Sequence, residues 1–324
     1  MAKILVVGGA GFVGSYCCRR LLSGLEDTVI AFDAFLNYDN RLKSDYDSRL
    51  SLRFGDIKDK VNVITGDVRY VQEVTRALQE TKPDTMIYLA AIPDARLSEK
   101  FPEAAMDINA KGAANCLEAI KKVPSAKRFV FASSSYVYGN FKYSPADELH
   151  PTSPIDVYGR TKLEGEAITK SLSEKLGIEW VIVRPSAIYG PGDTYSRVSR
   201  IFVENALSGK PLKLFNGGMM QLDFTYVSDA ANAIVLAAKK KKAANEVINI
   251  TRGQARTVKE FAETVAKNVP GTRIEAQEAN EKIPSRGELD SRKAKKLLGF
   301  EPKHSIEQGI PKYLKGVREK RAIE

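Results

Sequence analysis

The stretch that decides the fold lies at the amino terminus and reads Lys3-Ile4-Leu5-Val6-Val7-Gly8-Gly9-Ala10-Gly11-Phe12-Val13-Gly14. An apolar run of strand length ends at Gly8, and Gly8, Gly11 and Gly14 are spaced G-x-x-G-x-x-G. Small residues let the backbone turn tightly, so that its N–H groups and the start of the next helix can face a pyrophosphate. Because the glycines stand in a strand–turn–helix context, the stretch predicts dinucleotide binding rather than an ordinary tight turn.

Strand-like and helical patterns alternate through the first half of the chain. Six apolar runs carry little alternation, as strands covered on both faces should: Ile4–Val7, Val29–Phe32, Val61–Ile64, Met86–Leu89, Phe129–Phe131 and Trp180–Val183. Helical spacing is found at Phe12–Ser23, Val71–Thr81, Pro102–Lys122 and Val157–Leu176. This repetition predicts an α/β fold with a doubly wound parallel sheet.

After Arg184 the pattern changes to loops rich in glycine and proline. Helices are expected at Ser228–Lys240, Val258–Asn268 and Ser291–Leu298, and a strand at Val247–Ile250. We expect a smaller C-terminal α/β lobe that binds substrate at the carboxyl edge of the sheet. The predicted division is interleaved, with residues 1–183 and about 226–251 binding the cofactor, and about 184–225 and 252–324 forming the substrate lobe.

The composition is that of a globular protein, since 43% of the 324 residues are hydrophobic and 28% are charged. No apolar run approaches the roughly 18 residues of a membrane span, and the start lacks the features of a signal peptide. Three cysteines and two histidines cannot build a disulfide framework or an evident zinc site. We therefore expect a cytoplasmic protein with no membrane partner and no metal.

The net charge of +10 comes from 50 Lys and Arg against 40 Asp and Glu. The excess is diffuse, with one run at Lys239–Lys242 and a basic tail at Lys312–Arg321. No aromatic residues are interleaved with a basic stripe, so we expect solvated helix ends and no nucleic-acid partner. An anionic small-molecule substrate fits the same sign of charge.

Two acidic positions follow predicted strands near the glycine loop. Asp33 ends the second strand, about 20 residues after the loop, where a carboxylate can accept both ribose hydroxyls of NAD. Its negative charge would repel a 2′-phosphate, which favours NAD over NADP, although a capping aspartate is the alternative. Gly66-Asp67-Val68 follows the third strand and can reach the adenine amine, or it is an ordinary Asx turn.

The candidate catalytic residues are a tyrosine, a lysine and a serine. Tyr158 and Lys162 are spaced i and i+4 on one face of a predicted helix. A phenol with a pKa near 10 is a poor base at neutral pH, but a neighbouring ammonium favours its anion, and the lysine can also hold the nicotinamide ribose. Ser133-Ser134-Ser135 ends the preceding strand, where a hydroxyl can bind a substrate oxygen. Alone, these would be a solvated helix face and a polar strand end.

With these residues the chain resembles the extended short-chain dehydrogenase/reductases, specifically the NAD-dependent nucleotide-sugar epimerase and dehydratase branch, which has a Rossmann fold. The resemblance runs from Lys3 to nearly residue 312. The matching motifs are the glycine loop, Asp33, Gly66-Asp67, Leu89-Ala90-Ala91, Asn109, Ser133–Gly139, Tyr158 with Lys162, Arg184-Pro185, Tyr189-Gly190-Pro191-Gly192, Asp223–Val227 and Lys293–Gly299.

The resemblance implies roles for particular residues. Ser134, Tyr158 and Lys162 are the expected catalytic residues. The expected NAD contacts come from Gly8, Gly11, Phe12, Val13, Gly14, Asp33, Asp67, Val68, Leu89, Ala90, Ala91, Asn109, Tyr158, Lys162 and Pro185. The expected substrate contacts come from Ser134, Ser135, Tyr158, Arg197 and Arg286.

Departures from the family pattern narrow the subclass. The related 4,6-dehydratases place an Asp-Glu pair where this chain has Ser135 and Tyr136, so a dehydratase is not expected, and sugar-acid decarboxylases also carry Glu at the second position. Ala187 replaces a frequent Asn and Leu222 a frequent Arg, both contacts to the diphosphate. Arg286 is expected to retain the second arginine of the family, and Arg197 or Arg200 to compensate for Leu222; the alternative is that the substrate is not a standard nucleotide diphosphate sugar.

The resemblance therefore predicts an NAD-dependent epimerase of a nucleotide-activated sugar, most simply UDP-glucose 4-epimerase-like, acting by transient oxidation to a keto-sugar and return of the hydride. A net NAD(P)-dependent dehydrogenase or ketoreductase acting on a sugar or nucleotide sugar is the alternative enzyme. A silent NAD-binding scaffold would have no reason to retain Ser134, Tyr158 and Lys162.

Assembly is predicted from the same family. Its members commonly dimerise through two helices per subunit, here Pro102–Lys122 and Val157–Leu176, and we expect a homodimer. The apolar positions that would face the partner, or otherwise the core, are Ala113, Leu117, Ile120, Leu163 and Ala167.

Overall fold

The structure, a computed structural model, describes residues 2–24, 27–36, 38, 50–51, 53–278 and 286–321. The strands are β1 (Lys3–Val7), β2 (Thr28–Asp33), β3 (Val61–Thr65), β4 (Thr85–Tyr88), β5 (Arg128–Ala132), β6 (Glu179–Pro185), β7 (Ile188–Tyr189), β8 (Leu212–Phe215), β9 (Gln221–Asp223), β10 (Thr225–Tyr226), β11 (Glu246–Ile250), β12 (Ala255–Thr257) and β13 (Ile274–Gln277). The helices are α1 (Phe12–Leu22), α2 (Val71–Thr81), α3 (Ala95–Lys100), α4 (Pro102–Met106), α5 (Gly112–Lys122), α6 (Val157–Leu176), α7 (Val198–Leu207), α8 (Val227–Lys239), α9 (Val258–Asn268), α10 (Arg292–Leu298) and α11 (Ile306–Arg321).

Seven parallel strands form the main sheet in the order β11-β6-β5-β4-β1-β2-β3. The order reverses beside β1, whose neighbours are β2 and β4, and such a switch point opens a crevice at the carboxyl ends of the strands. The glycine loop, Leu89 and Ser133 follow strands at this edge, and Asp33 is the last residue of β2 there. The predicted doubly wound α/β fold is therefore confirmed.

Helices cover both faces of the sheet, which explains the absence of alternation in its strands. On β1, Ile4 and Val6 pack under α1 and α8, whereas Leu5 and Val7 pack under α2 and α5. Residues alternate between faces along a strand, so both sets are buried only because both faces are covered.

A third hydrophobic cluster lies in the second half of the chain. It is formed by α7, α9, α11 and the short strands β7, β8 and β10, with Phe202, Phe261 and Tyr313 among its buried residues. Between β10 and β12 the chain returns to the main sheet, where α8 packs against α1 and β11 pairs with β6.

Several predicted element boundaries are correct and others are not. Helices at Val71–Thr81, Val157–Leu176 and Val258–Asn268 match the prediction, but Leu89 lies just beyond β4. The predicted helix at Pro102–Lys122 contains a π-helical turn at Asp107–Lys111 between α4 and α5. Helices α3, α7 and α11 were not predicted.

The apolar positions proposed for a dimer interface are mostly internal. Ala113, Leu117 and Ile120 are buried in the core of this chain, Leu163 is half-buried, and Ala167 is exposed. The first three residues therefore lend no support to a dimer. No helix in the described part of the chain is long and apolar enough to cross a membrane.

Candidate active site

The glycine loop joins β1 to α1 at very close range. Gly8 has a φ of +79°, and a Cβ on Gly14 would lie 2.2 Å from the Gly8 carbonyl oxygen. The Gly8 N–H donates to the Phe32 carbonyl oxygen at 2.8 Å, which fixes the loop against β2. Side chains at either glycine would separate the helix from the strand end, so the loop has the close packing that dinucleotide binding requires.

A cavity of about 180 Å³ opens directly beyond this loop. It is lined by these predicted NAD contacts: Gly8, Gly11, Phe12, Val13, Gly14, Asp33, Asp67, Val68, Leu89, Ala90 and Ala91. Asp33 accepts hydrogen bonds from the N–H groups of Ala10 (2.9 Å) and Phe35 (2.8 Å), which orient its carboxylate at the cavity wall. The Asp67 carboxylate is paired with Arg69, whose Nε donates to it at 2.8 Å.

A second cavity of about 420 Å³ adjoins the first and holds the predicted catalytic residues. The two cavities share part of their lining, namely Phe12, Val13, Leu89, Ala91, Pro93 and Arg197. Ser134, Tyr158, Lys162 and Pro185 line the second cavity. The two cavities thus place a glycine-cradled site and a Ser–Tyr–Lys group side by side, an arrangement that fits a dinucleotide whose reactive end reaches the tyrosine.

Two caps fix the segments that carry Ser134 and Tyr158. Asp156 accepts a hydrogen bond from the Gly159 N–H at 2.7 Å and caps α6, which begins at Val157, one residue before Tyr158. Ser134 Oγ accepts from the Tyr136 N–H at 3.2 Å and starts a 3-10 turn at Ser135–Tyr138. Ser134 therefore sits where a strand ends and a turn begins, with its side chain at the cavity.

The Tyr158 phenol is held in its neutral form. Burial raises the pKa of Tyr158 to about 12, while the charge of Arg197 and a hydrogen bond with Ser134 oppose the rise. The favourable charge was expected from Lys162. In the structure Arg197, which lies at the border of the two cavities, provides the positive charge that lowers the pKa of Tyr158.

Lys162 lies deeper than Tyr158 and is buried. Its Nζ donates to the Ala132 carbonyl oxygen at 2.8 Å and lies 5.9 Å from the centroid of the Tyr158 ring. Burial lowers the pKa of Lys162 to about 7, and the negative charge of Glu166 counteracts this. Both protonation states of the lysine are therefore accessible near neutral pH.

Two arginines reach the second cavity from the C-terminal half. The Arg286 guanidinium lies 3.7 Å from the centroid of the Tyr136 ring, and both of its terminal nitrogens are buried without a hydrogen-bond partner among the described residues. The Tyr136 ring in turn contacts the Tyr158 ring edge-on, with centroids 5.3 Å apart. Arg197 donates to Asp193 at 2.7 Å and to the Pro93 carbonyl oxygen at 3.0 Å.

Other predicted residues divide between the cavity and the surrounding structure. Ser135, Ala187 and Leu222 line the second cavity. Arg200 does not line it; its side chain is bonded to Glu204 and to the Thr194 carbonyl oxygen, so it is not placed to compensate for Leu222.

Asn109 lies outside the lining of both cavities. It is fully buried in the π-helical turn, accepts from the Ile92 N–H at 2.8 Å and donates to the Thr161 hydroxyl at 2.9 Å. Because Thr161 precedes Lys162, Asn109 supports α6 beside the second cavity; its contact with NAD stays a prediction.

Sequence reasoning missed some of the lining residues. Tyr195 faces the first cavity, and Arg96 the second. Tyr136 was noted only for the acid that it replaces, not for its contact with Arg286. The Gly190-Pro191-Gly192 motif indicated a loop after β7, but no local pattern indicated that Tyr195 lines the first cavity.

Comparison with known proteins decides the family. The model of the NAD-dependent epimerase/dehydratase family matches residues 4–251. The chain belongs to this family. A protein of Bacillus subtilis described as an uncharacterized UDP-glucose epimerase is 33% identical to it over 317 residues, which is 95% of each chain. The family match confirms the predicted family, the Rossmann-type fold and the NAD cofactor.

Solved structures of epimerases are similar over nearly the whole chain. The UDP-glucose 4-epimerase of Thermotoga maritima, crystallised with UDP-glucose, is 27% identical with a TM-score of 0.87, covering 98% of this chain and 99% of that one. The UDP-glucuronic acid 4-epimerase of Bacillus cereus, in complex with UDP-glucuronic acid and NAD, is 28% identical with the same TM-score and coverage.

Proposed function

We propose that this protein is an NAD-dependent epimerase of a nucleotide-activated sugar, most simply one that inverts C4 as the UDP-glucose 4-epimerases do. The observation that carries the proposal is the position of Ser134, Tyr158 and Lys162 in a cavity that adjoins the glycine-cradled one. The epimerases among the solved structures support it, as does the UDP-glucose epimerase relative.

The residues divide the work of moving one proton. Tyr158 acts from its phenolate form: Oη takes the proton from the sugar hydroxyl and later returns it, while Ser134 Oγ hydrogen-bonds the same sugar oxygen. Lys162, when protonated, favours the Tyr158 anion and can hold a ribose hydroxyl. Bound NAD would supply a reversible hydride acceptor, so that a hydride could leave the sugar carbon and return to its other face. Gly8, Gly11 and Gly14 would hold its pyrophosphate at the start of α1, and Asp33 its adenosine ribose.

The residues around Tyr158 favour epimerisation over elimination of water. Ser135 and Tyr136 line the cavity beside the proposed catalytic residues, and neither side chain has a carboxyl group. A 4,6-dehydratase needs an acid and a base at these two positions, so the keto-sugar formed here has no partner for loss of its C6 hydroxyl. Return of the hydride is then the productive outcome.

The position of Arg286 favours binding of an anionic substrate. Its terminal guanidinium nitrogens, which bond to no other described residue, and its stacking on Tyr136 suit bidentate binding of a phosphate oxygen pair near the reacting sugar. Arg197 provides a second positive charge at the border of the two cavities. These arginines can replace the one that family members often carry where this chain has Leu222.

The test is turnover without added cofactor. The purified protein is incubated separately with UDP-glucose, UDP-glucuronate and dTDP-glucose, and the anomeric protons are followed by NMR. We expect one of the sugars to give its C4 epimer, and a Tyr158→Phe variant to give none at the same protein concentration. Turnover only with added NAD or NADH, with net oxidation or reduction, would instead establish the alternative dehydrogenase or ketoreductase.

We further propose a cytoplasmic homodimer with two interleaved lobes. Residues 1–183 and 226–251 are the proposed cofactor-binding part, supported by the return of β11 to the main sheet, and residues 184–225 and 252–324 are the proposed substrate lobe. The exposed Ala167 and half-buried Leu163 on α6 are available to a partner subunit. Light scattering that gives the mass of one chain at micromolar concentration would exclude the dimer.

A further inference from the structure

Glu166 is a buried carboxylate one helical turn beyond Lys162. Its side chain is 3% exposed, and that of its partner Arg184 is 5% exposed. One carboxylate oxygen accepts from Ser133 Oγ at 2.5 Å and from Arg184 Nε at 2.8 Å, and the other accepts from Arg184 Nη2 at 2.6 Å. A buried ion pair with this geometry is costly to break, because removing one partner leaves the other charge uncompensated.

These bonds join the two segments that carry the proposed catalytic residues to each other and to the end of β6. Glu166 lies on α6, with Tyr158 and Lys162. Ser133 precedes Ser134 at the end of β5, and Arg184 precedes Pro185 at the end of β6. One carboxylate therefore fixes the helix against both strand ends, and any rotation of α6 that moved Tyr158 away from Ser134 would also break the bonds of Glu166.

The hydrogen-bond chain continues away from the cavity. Arg184 Nη1 donates to Tyr138 Oη at 3.0 Å, and Tyr138 donates to Asn249 Oδ1 at 2.7 Å. Tyr138 closes the 3-10 turn that Ser134 begins, and Asn249 lies on β11. The same network thus braces the turn beside Ser134.

Glu166 also faces the charge of Lys162. The Lys162 ammonium donates to a neutral carbonyl, and the i, i+4 spacing places Glu166 on the same face of α6. The negative charge of Glu166 raises the pKa of Lys162 against the effect of burial. The titratable and charged groups around this pair are Tyr158, Tyr136, Tyr138, Arg184, Arg197 and Glu148, which accepts from the Asn249 N–H.

We propose that Glu166 is a positioning residue for epimerisation, which supplies the negative charge opposite Lys162 and fixes Lys162 and Ser134 relative to Tyr158. This rests on the proposed function of Tyr158 and Lys162. The carboxylate touches neither cavity, so it acts only through the residues that do.

The first test measures Lys162 itself. The purified protein and a Glu166→Gln variant are labelled with acetic anhydride over a range of pH, and mass spectrometry quantifies the peptide that carries Lys162. Loss of one charge at helical i, i+4 distance is expected to lower the pH midpoint of Lys162 labelling by about one to two units. An unchanged midpoint would overturn the proposal.

The second test separates charge from folding. In Glu166→Gln we expect kcat to fall about tenfold at pH 8, to recover in part at pH 6, and KM to change little. The double variant Glu166→Gln/Arg184→Met removes the uncompensated arginine and is expected to regain thermal stability but not the wild-type labelling midpoint or pH profile. If the double variant regains both the wild-type labelling midpoint and the wild-type pH profile, Glu166 is only structural. If the wild-type protein turns over no nucleotide sugar, the proposed function fails, while the labelling shift still reports on Glu166 and Lys162.

Discussion

Replacing Arg286 by methionine tests how this chain holds the anionic part of its substrate. The two terminal nitrogens of Arg286 are buried and have no hydrogen-bond partner within the described part of the chain, so a bound diphosphate can take two charge-assisted hydrogen bonds from them. Such bonds contribute about 1.5–3 kcal/mol each, and part of this is offset by desolvation of the phosphate. A net loss of about 3 kcal/mol corresponds to roughly 100-fold weaker binding.

The assay is calorimetric titration of the NAD-loaded protein with UDP and, separately, with uridine. We expect Arg286→Met to weaken UDP about 100-fold and to leave uridine unchanged, because uridine has no phosphate. Arg292 provides a matched control, since its side chain is 90% exposed and is paired with Asp290. Arg292→Met should bind UDP as the wild type does.

The stability of the Arg286 variant is also informative. Methionine removes buried donors that lack partners, which favours folding, and removes the stacking on Tyr136, which opposes it. These effects are of similar size, so the melting temperature should stay within a few degrees of the wild type. A UDP affinity within threefold of the wild type in a folded variant would refute the assignment of Arg286 to the diphosphate.

Three further outcomes follow from the site. Tyr158→Phe should lower kcat by about 10²- to 10⁴-fold with no loss of melting temperature, and a smaller effect in the NMR assay would remove the tyrosine from proton transfer. Gly14→Ala should weaken NAD binding at least tenfold or destabilise the protein by about 1–3 kcal/mol, because the added Cβ would lie 2.2 Å from a backbone oxygen. Titration with NAD and denaturant unfolding measure the two effects, and wild-type values in both would contradict the close packing. Lys162 has a pKa of about 7 in the folded state, below its ordinary value, so the unfolded chain binds more protons above pH 7. Its contribution to the unfolding free energy should therefore rise from about pH 7 to about pH 10, and Lys162→Met should lack this rise. If the unfolding free energies of the two proteins instead depend on pH in the same way, the pKa of Lys162 is not lowered by folding.

The features that were predictable from sequence are those that local pattern controls. The strand, glycine loop and helix around Gly8 are contiguous in sequence. Because both faces of β1 are buried, its sequence is an unbroken apolar run, which made the strand recognisable. Helix α6 was delimited correctly because Asp156 and Gly177 cap it, the latter with a φ of +67°.

The C-terminal helix shows why other elements were missed. Pro311 lies inside α11, and the basic residues after it resembled a solvated tail. Yet Ile306, Ile310, Tyr313 and Leu314 are all buried against the cluster around α9, and this tertiary packing outweighs the break that proline signals. Stacking of Arg286 on Tyr136 was equally out of reach, since 150 residues separate them in sequence.

The late return of the chain to the main sheet has a consequence for synthesis and engineering. Strand β11 ends at Ile250 and pairs with β6, which ends at Pro185, so an edge of the sheet is uncovered until more than sixty further residues have left the ribosome. A fragment cut after residue 185 would expose that edge, together with the face of α1 that α8 covers. Chimaeras that exchange the C-terminal cluster with that of a relative therefore need three crossover points, one after β6 and one on each side of the segment that carries α8 and β11.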